Sequence, residues 1–371
     1  MQIKLGDFLR EICIKTVVNN EYPVLTSSKN GIYLQSEYFN KQVASKDNTG
    51  YKIIKKGQFT YRAMSDTGEF YPNMLKCVDV GIVSPAYPVF EITNRNIIYP
   101  QYLQYFFRSN TFRYNISGLE QGSTRTSIKF NKMKNIKIKL PPLLEQKKVI
   151  MILDRVGSLI SKRQEQLKYF DKLTKSLFIE MFGEPISNPK EWKKKKCKNI
   201  LTKIGSGATP QGGSESYKEE GISLIRSMNV HNGRFESKDL AYIDEKQAQK
   251  LDNVNIKEND VLINITGASV ARCCIVPSDV IPARVNQHVS VLRCSDMVNS
   301  IFLCYQIIND SYQNLLKKIG TSGGATREAI TKKQIEDLEV ILPPLELQNK
   351  FANFVRGTDK SKFSSFSHLS A

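Results

Sequence analysis

The sequence predicts a mixed α/β fold in which two copies of one domain are separated by long helices of the coiled-coil type. Three observations support this prediction: a repeat at a constant offset of 202 residues, short β-branched segments in both copies, and a heptad pattern between them. We expect the domains at 1–144 and 183–341, a long helix at 145–182, and a shortened second helix with its tail at 342–371. A chain of 371 residues is long enough for two or three domains that each bury a core.

The repeat is clearest around two proline pairs. The stretch GSTRTSIKFNKMKNIKIKLPPLLEQKK at 122–148 aligns without a gap on GATREAITKKQIEDLEVILPPLELQNK at 324–350. Both copies contain Gly-x-Thr-Arg-x-x-Ile, and both contain Leu-Pro-Pro-Leu followed by Gln and Lys. The residues outside these motifs differ, as expected when one scaffold carries two differently specified surfaces.

Each copy has the pattern of a mixed α/β domain. Short β-branched segments bounded by Gly, Pro, Asn or Asp predict strands at 80–83, 89–92, 261–265 and 289–292. The segments that begin at Tyr102 and Phe302 have apolar residues at i, i+3 and i+4, which predicts a helix packed on a sheet.

The connector between the copies carries the heptad pattern. From Val149 to Met181, ten positions alternate spacings of four and three residues, and eight of them are apolar, which predicts a coiled-coil seam. The seam residues singled out are Leu153, Val156, Ile160, Leu167, Phe170 and Leu177. A helix over 145–182 would be ~55 Å long at ~1.5 Å per residue. Only 23 residues follow Gln348, whereas 36 separate Gln146 from Phe182, so the second helix is expected to be short.

The charge balance points to a polyanionic partner. The chain has 54 Lys and Arg against 36 Asp and Glu, a net charge of +18, and the excess lies mainly in 1–144. Nucleic acid is the usual partner of such a chain, and the alternative is a solvated basic face that serves solubility alone. No apolar stretch approaches the ~20 residues of a membrane span, and the N-terminal residues do not resemble a secretory signal. We therefore expect a cytoplasmic protein with no membrane contact.

The sequence shows no recognisable catalytic or metal-binding motif. The seven cysteines form no C-x-x-C pair and only three histidines accompany them, so neither disulfides nor a metal site is expected. No GxxxxGK[ST] loop is present. The nuclease-like tripeptide Glu236-Ser237-Lys238 lacks an accompanying Asp, so it is interpreted as a solvated loop. We interpret His231 and His288 as polar surface or site-lining residues. The Gly205–Pro210 segment is either a phosphate cradle or a plain turn. No residue is assigned a catalytic role.

Taken together, the motifs resemble the specificity subunits of type I restriction-modification enzymes over essentially the whole chain. The resemblance rests on the two repeated motifs and on Met181-Phe182-Gly183, Asn188–Trp192, Gly205–Pro210 and Asn259–Ile263, in that order. It implies two target-recognition domains, each reading one half of a bipartite site in double-stranded DNA, held apart by paired helices.

The resemblance also implies partners. Two methyltransferase (modification) subunits would dock on the helices, and a motor-nuclease (restriction) subunit would join them. We expect the long helix to present its seam to the C-terminal helix and its outer face to a methyltransferase. Catalysis, S-adenosylmethionine and ATP would belong to those subunits, so this chain is expected to be non-catalytic and to need no cofactor. The second copy departs from the first in reading LPPLELQ and in its short helix, which bears on docking of the distal methyltransferase subunit.

Candidate DNA contacts fall into two groups. Thr124 with Arg125 and Thr326 with Arg327 occupy matched positions, where backbone and guanidinium groups could hold a phosphate or a base edge; the alternative is a frame role within each domain. Sequence choice should come from residues that differ between the copies. These candidates are Arg62, Ser65, Lys129, Arg226, Asn229, Arg272, Asn286 and Gln287.

Two other functions stay open at this point. A self-contained nuclease or methylase with an unrecognised active site would methylate or cut DNA as an isolated chain. A coiled-coil scaffold indifferent to DNA conflicts with the charge of +18, and the salt dependence of duplex binding would test it. The two-reader interpretation adds a geometric expectation: two unrelated half-sites with centres about one helical turn, ~34 to 36 Å, apart.

Overall fold

The computed structural model describes residues 2–39, 45–117, 119, 126–321 and 328–363, and the chain divides into two compact units, Met1–Lys162 and Arg163–Ala371. In the first unit the strands are β1 (Gln2–Lys4), β2 (Leu9–Ile12), β3 (Leu25–Ser28), β4 (Gly31–Leu34), β5 (Lys52–Lys55), β6 (Phe59–Thr60), β7 (Met64–Ser65), β8 (Asn73–Met74), β9 (Val80–Val83), β10 (Val89–Ile92), β11 (Thr126–Ser127) and β12 (Lys137–Lys139). Its helices are α1 (Gln35–Tyr38), α2 (Pro100–Phe106), α3 (Asn110–Ser117) and α4 (Phe130–Met133), and α5 (Leu143–Phe182) continues into the second unit.

In the second unit the strands are β13 (Lys194–Lys196), β14 (Leu201–Ser206), β15 (Ile222–Ile225), β16 (Val230–His231), β17 (Arg234–Phe235), β18 (Ala241–Ile243), β19 (Val261–Asn264), β20 (Cys273–Ile275), β21 (Ala283–Val285), β22 (Val289–Cys294) and β23 (Glu339–Ile341). The helices are α6 (Glu245–Gln249), α7 (Ser300–Ile307), α8 (Asp310–Thr321), α9 (Lys332–Asp337) and α10 (Leu345–Phe363). All four predicted strands and the predicted long helix are present, and the helix begins two residues before Glu145.

Each unit contains the same four-stranded sheet. The strand order is β2-β10-β6-β8 in the first unit and β14-β22-β19-β20 in the second. Phe90 pairs with Phe59 in the first sheet, and Leu292 pairs with Val261 in the second, so both partners are displaced by 202 residues. The repeat found in the sequence is therefore a repeat of strand register. The mixed α/β architecture is confirmed.

The cores of the two sheets differ in side-chain size. The first is aromatic, with the buried rings of Phe59 and Phe90 stacked at 5.5 Å between centroids. The second replaces these two residues by Val261 and Leu292, both buried. Burying side chains of this size contributes roughly 1.5 to 3 kcal/mol each, so the same register is stabilised with different residues.

The glutamine of each Leu-Pro-Pro-Leu motif is a fully buried structural residue. Gln146 accepts a hydrogen bond from the backbone N–H of Tyr99 (3.0 Å), immediately before α2, and donates to the carbonyls of Ile97 (2.8 Å) and Pro141 (2.9 Å). These bonds join the start of α5 to the start of α2.

Gln348 repeats this arrangement in the second unit. It accepts from the N–H of Asn299 (2.8 Å), immediately before α7, and donates to the carbonyl of Pro343 (2.8 Å). The motif therefore fixes one helix to another in both units.

The end of α5 is fixed by two of the motifs noted in the sequence. Gly183 adopts a positive φ of 79° and donates its N–H to the carbonyl of Ile179 (2.8 Å); a Cβ at this position would lie 2.9 Å from Pro189. The indole N–H of Trp192 donates to the carbonyl of Phe182 (2.9 Å). Glycine is required because the left-handed backbone and the proline leave no room for a side chain.

The second long helix is shorter than the first within the described residues. α10 has 19 residues against 40 in α5. Its Phe351 packs edge-on against Phe178 and Phe182 at the end of α5, with ring centroids 5.5 and 5.6 Å apart. Both rings of α5 also contact Phe302 of α7. The end of α5 is thereby part of the core of the second unit.

Candidate nucleic-acid interface

The two Gly-x-Thr-Arg motifs join the described chain at equivalent places. In the first unit Ser127 pairs with Met64, and in the second Ala329 pairs with Thr266, again at an offset of 202 for both partners. The hydroxyl of Thr126 also donates to the carbonyl of Ser65 (3.1 Å). Thr124, Arg125, Thr326 and Arg327 themselves lie outside the described residues. Their flanking strands nevertheless define one corresponding edge in each unit, which we call the motif edge.

Three predicted contact residues lie along the motif edge of the first unit. Arg62 is exposed, and its guanidinium makes no hydrogen bond or ion pair within the described ranges. Ser65 is half-buried, with its hydroxyl 3.2 Å from that of Thr67. Lys129 is exposed and precedes α4. The two cations can therefore reach a ligand without breaking an internal bond.

At the motif edge of the second unit, polar residues from two strand ends come together. His288 Nδ1 lies 2.6 Å from the hydroxyl of Thr266, and Thr209 donates its hydroxyl proton to the side-chain oxygen of Gln287. Thr209 belongs to the Gly205–Pro210 segment noted in the sequence, whereas sequence reasoning missed Thr266. The offset of 202 from Met64 was the available signal for Thr266.

Arg272 is the cation of this edge. It lies eight residues after Asn264 at the end of β19, and its backbone carbonyl accepts from the N–H of Asn264 (2.8 Å). Its side chain is half-exposed and has no internal hydrogen bond among the residues that the structure describes. Arg272 and Gln287 therefore stay as candidate contacts.

Three other predicted contacts are used inside the domain. Asn229 is fully buried, with its amide oxygen accepting from the N–H of Arg226 (3.0 Å) and its amide nitrogen donating to the carbonyl of Glu236 (2.9 Å). Asn286 is 4% exposed and accepts from the N–H of His288 (3.0 Å). Arg226 donates to the carbonyl of Asp239 and lies over the ring of Tyr217. These side chains shape the loops, so we remove them from the contact set.

The seam residues of α5 divide into an exposed and a half-buried group. Leu153, Val156 and Ile160 are 38%, 46% and 54% exposed. In contrast, Leu167, Phe170 and Leu177 are half-buried. The exposed group lies on a longer run of exposed apolar residues, namely Val149, Met151, Ile152, Leu153, Val156, Leu159 and Ile160. We call this run the α5 apolar stretch.

At the end of α5, the most deeply buried side chains lie one position after the predicted seam residues. The buried residues there are Phe178 and Phe182, whereas the predicted Leu177 and Met181 are half-buried. The reason is that α5 packs at this point on α7 as well as on α10, and a straight helix of 3.6 residues per turn drifts from a strict heptad seam.

Near its beginning, α5 contacts α2 through a polar bond. The hydroxyl of Tyr105 donates to the carboxylate of Asp154. Burial and this hydrogen bond raise the pKa of Tyr105 to about 12. This bond lies on the side of α5 that faces its own unit.

No metal-binding cluster occurs within the described ranges: no three His, Cys, Asp or Glu side chains are placed to hold an ion. Glu236, from the nuclease-like tripeptide, forms a surface ion pair with Arg234 (3.5 Å). None of the helices in the described part of the chain combines the length and hydropathy of a membrane span.

Comparison with known proteins agrees with this architecture. A model of the family described as type I restriction modification DNA specificity domain matches residues 4–169 and 189–364. The type I restriction enzyme MjaIX specificity subunit of Methanocaldococcus jannaschii is 27% identical, over 69% of this chain and 61% of its own. The EcoKI specificity subunit of Escherichia coli is 22% identical, over 68% and 57%. This chain thus spans about three fifths of the length of these curated relatives.

Solved structures show the same fold. The S subunit of a type I restriction-modification system from M. genitalium matches with a TM-score of 0.58 at 14% identity, over 100% of this chain and 92% of that one. A chain from a study of complex assembly in a type I R-M system matches with a TM-score of 0.56 at 18% identity, over 98% and 91%. With its two matched segments covering most of the sequence, the chain belongs to the type I restriction modification DNA specificity domain family.

Proposed function

We propose that the chain is the DNA-recognition subunit of a type I restriction-modification system and reads a bipartite, asymmetric site in double-stranded DNA. One observation carries the proposal. The two units repeat one strand register at an offset of 202, while the side chains beside the two motif edges differ. A repeated frame with different contact residues is what reading two unrelated half-sites requires.

Each motif edge contributes its own contacts. Arg62, Ser65 and Lys129 serve the first half-site, and Arg272 and Gln287 serve the second. Arg125 and Arg327, with Thr124 and Thr326, hold phosphates or base edges at matched points. The exposure of the described cations and their lack of internal partners support this role.

The α5 apolar stretch is the proposed docking surface for methyltransferase subunits, to which a restriction subunit is added. Contiguous exposed apolar residues mark a partner surface, because water disfavours their exposure. The chain itself is non-catalytic in this proposal, acts in the cytoplasm and leaves methylation and cleavage to its partners.

Two measurements test the function. Anisotropy of a labelled duplex should report binding by the purified chain that weakens steeply with salt. Long-read mapping of methylated adenines in cells that express the chain with its methyltransferase should give two short, unrelated sequences separated by an unspecified gap. A continuous or palindromic motif would contradict the two-reader arrangement. Methylation or cleavage by the isolated chain would instead support a self-contained enzyme.

A further inference from the structure

A buried asparagine locks three elements of the first unit together. Asn73 is 2% exposed, and its amide nitrogen donates to the hydroxyl of Ser27 (2.9 Å) and the carbonyl of Ser28 (2.8 Å) on β3. Its amide oxygen accepts from the guanidinium of Arg108, which lies between α2 and α3. The β3–β4 hairpin, β8 and the α2–α3 junction are therefore held in one arrangement.

Two cations lie over one aromatic ring at this junction. The Lys29 ammonium and the Arg108 guanidinium are 5.6 and 5.1 Å from the centre of the Tyr71 ring. Lys29 occupies the turn of the β3–β4 hairpin, where its side chain is 65% exposed. Ring and cation attract each other, so Tyr71 keeps the positive groups in place.

A third cation and one carboxylate complete the cluster. Tyr71 donates its hydroxyl proton to Glu69 (2.5 Å), and this bond, with the charges of Lys29 and Arg113, lowers the pKa of Glu69. Arg113 is exposed on α3 and has no internal ion pair among the described residues. The Glu69 carboxylate forms an ion pair with Lys29 (3.8 Å), so the cluster holds three cations against one carboxylate and keeps an excess of positive charge.

The second unit has the same frame without these cations. In the hairpin, the pairing of Ser28 with Gly31 corresponds to that of His231 with Arg234, an offset of 203 that places the neutral Asn232 on Lys29. Helices α2 and α7 correspond at an offset of 200. The residue before each helix, Tyr99 or Asn299, donates its N–H to the buried glutamine of its own unit.

That offset of 200 places neutral residues where the first unit has its two arginines. Ile308 replaces Arg108, and Gln313 replaces Arg113. Ile308 is buried, and the Gln313 amide donates to the carbonyls of Ala271 (2.6 Å) and Ile307 (2.9 Å) inside the unit. All three cationic positions are therefore specific to the first unit.

We propose that Lys29 and Arg113, positioned around Tyr71 and Arg108, bind phosphates of the DNA backbone, and that only the first unit has this contact. We call these four residues the Tyr71 patch. The inference rests on the proposed function and adds to it a sequence-independent anchor at one half-site. Phosphate is assigned because the cluster carries an excess of positive charge on an exposed surface, and the backbone phosphates are the negative groups that DNA of any sequence presents.

The test is the salt dependence of binding to fluorescein-labelled duplex DNA of mixed sequence. Each phosphate contact contributes about 0.9 to the slope of log affinity against log salt, so the double variant K29A/R113A should lower the slope by about 1.8. Between 50 and 200 mM salt, the wild type should lose ~12-fold more affinity than the variant. Both side chains are exposed, so the variant should fold normally, as checked by circular dichroism.

A charge-matched control separates a local contact from net charge. The variant K55A/K56A removes two exposed lysines of the same unit and should change the slope by less than half as much. An equal fall in both variants, an unchanged slope in K29A/R113A, or a loss confined to one DNA sequence would overturn the patch. If the wild type binds no duplex at any salt concentration, the proposed function itself fails. If the wild type binds and K29A/R113A has the same salt slope, the patch fails while the proposed function stands.

Discussion

At the scale of single residues, the repeated Gln146 and Gln348 each have a structural role inside their own unit. Each lies in a motif that marks the family, yet each is fully buried and bonded to its own backbone. A buried amide of this kind stabilises little in net terms, but its removal leaves backbone donors and acceptors without partners. Their repetition therefore follows from the frame and not from contact with DNA.

The variants Gln146→Ala and Gln348→Ala should each lower the free energy of unfolding by about 1 to 3 kcal/mol, since each leaves buried polar groups unsatisfied. Urea denaturation of the full chain measures this effect. Gln164→Ala, at an exposed position of α5, is the control and should change stability by less than ~0.5 kcal/mol. Equal effects in all three variants would contradict a structural role.

In the second unit, we expect opposite effects from replacing Arg272 and from replacing Asn229. Arg272→Ala should cost ~1 to 3 kcal/mol of DNA binding and relax the choice of base at one position, because its free guanidinium is available to a base edge. Asn229→Ala should instead destabilise the fold through its lost internal bonds. Methylation mapping for each variant, together with thermal unfolding, separates the two. Unchanged specificity in Arg272→Ala would remove it from the contact set.

At the scale of elements, α5 has two different environments along its length. Its last turns carry Phe178 and Phe182 into the core of the second unit, whereas the α5 apolar stretch is exposed. A substitution near the end of the helix should therefore affect folding, and one in the apolar stretch should affect assembly.

The double variant Leu153→Asp with Ile160→Asp should leave the unfolding temperature within a few degrees of wild type and abolish the complex with the methyltransferase. The charges cost little in the free chain because both positions are exposed, but burying them in an interface is unfavourable. Size-exclusion chromatography of the co-expressed subunits is the measurement, and Ser161→Asp is the matched control.

Phe178→Ala should behave in the opposite way. It removes a fully buried ring that contacts Phe302 and Phe351, and should destabilise the second unit by about 3 to 5 kcal/mol.

A methyltransferase complex that survives Leu153→Asp with Ile160→Asp would exclude the α5 apolar stretch as the docking surface.

At the scale of the whole molecule, one continuous helix connects two units that share a frame and differ in their contacts. Deleting Glu165–Lys168 removes about one turn, ~6 Å, from that connection. The gap in the methylated motif should shorten by one or two base pairs, and both half-sites should stay unchanged, because no contact residue is altered. Methylome mapping with the deletion chain tests this; a changed half-site would contradict independent reading.

The division between what sequence and structure decide is visible in particular residues. Constant spacing between repeated motifs predicts the duplicated register, since backbone pairing depends on residue count. Apolar periodicity likewise predicts α5, and Gly183 predicts its end. These features are local or periodic, and the chain encodes them directly.

Only the tertiary structure decides which polar residues are free. Asn229, Asn286 and Arg272 look alike in the sequence as hydrogen-bonding residues near strand ends, but the two asparagines are buried and Arg272 is half-exposed. The Tyr71 patch joins residues from the β3–β4 hairpin, the segment before β8, the α2–α3 junction and α3, which only folding brings together. Side-chain availability depends on packing between segments far apart in the chain, and no local pattern records that packing.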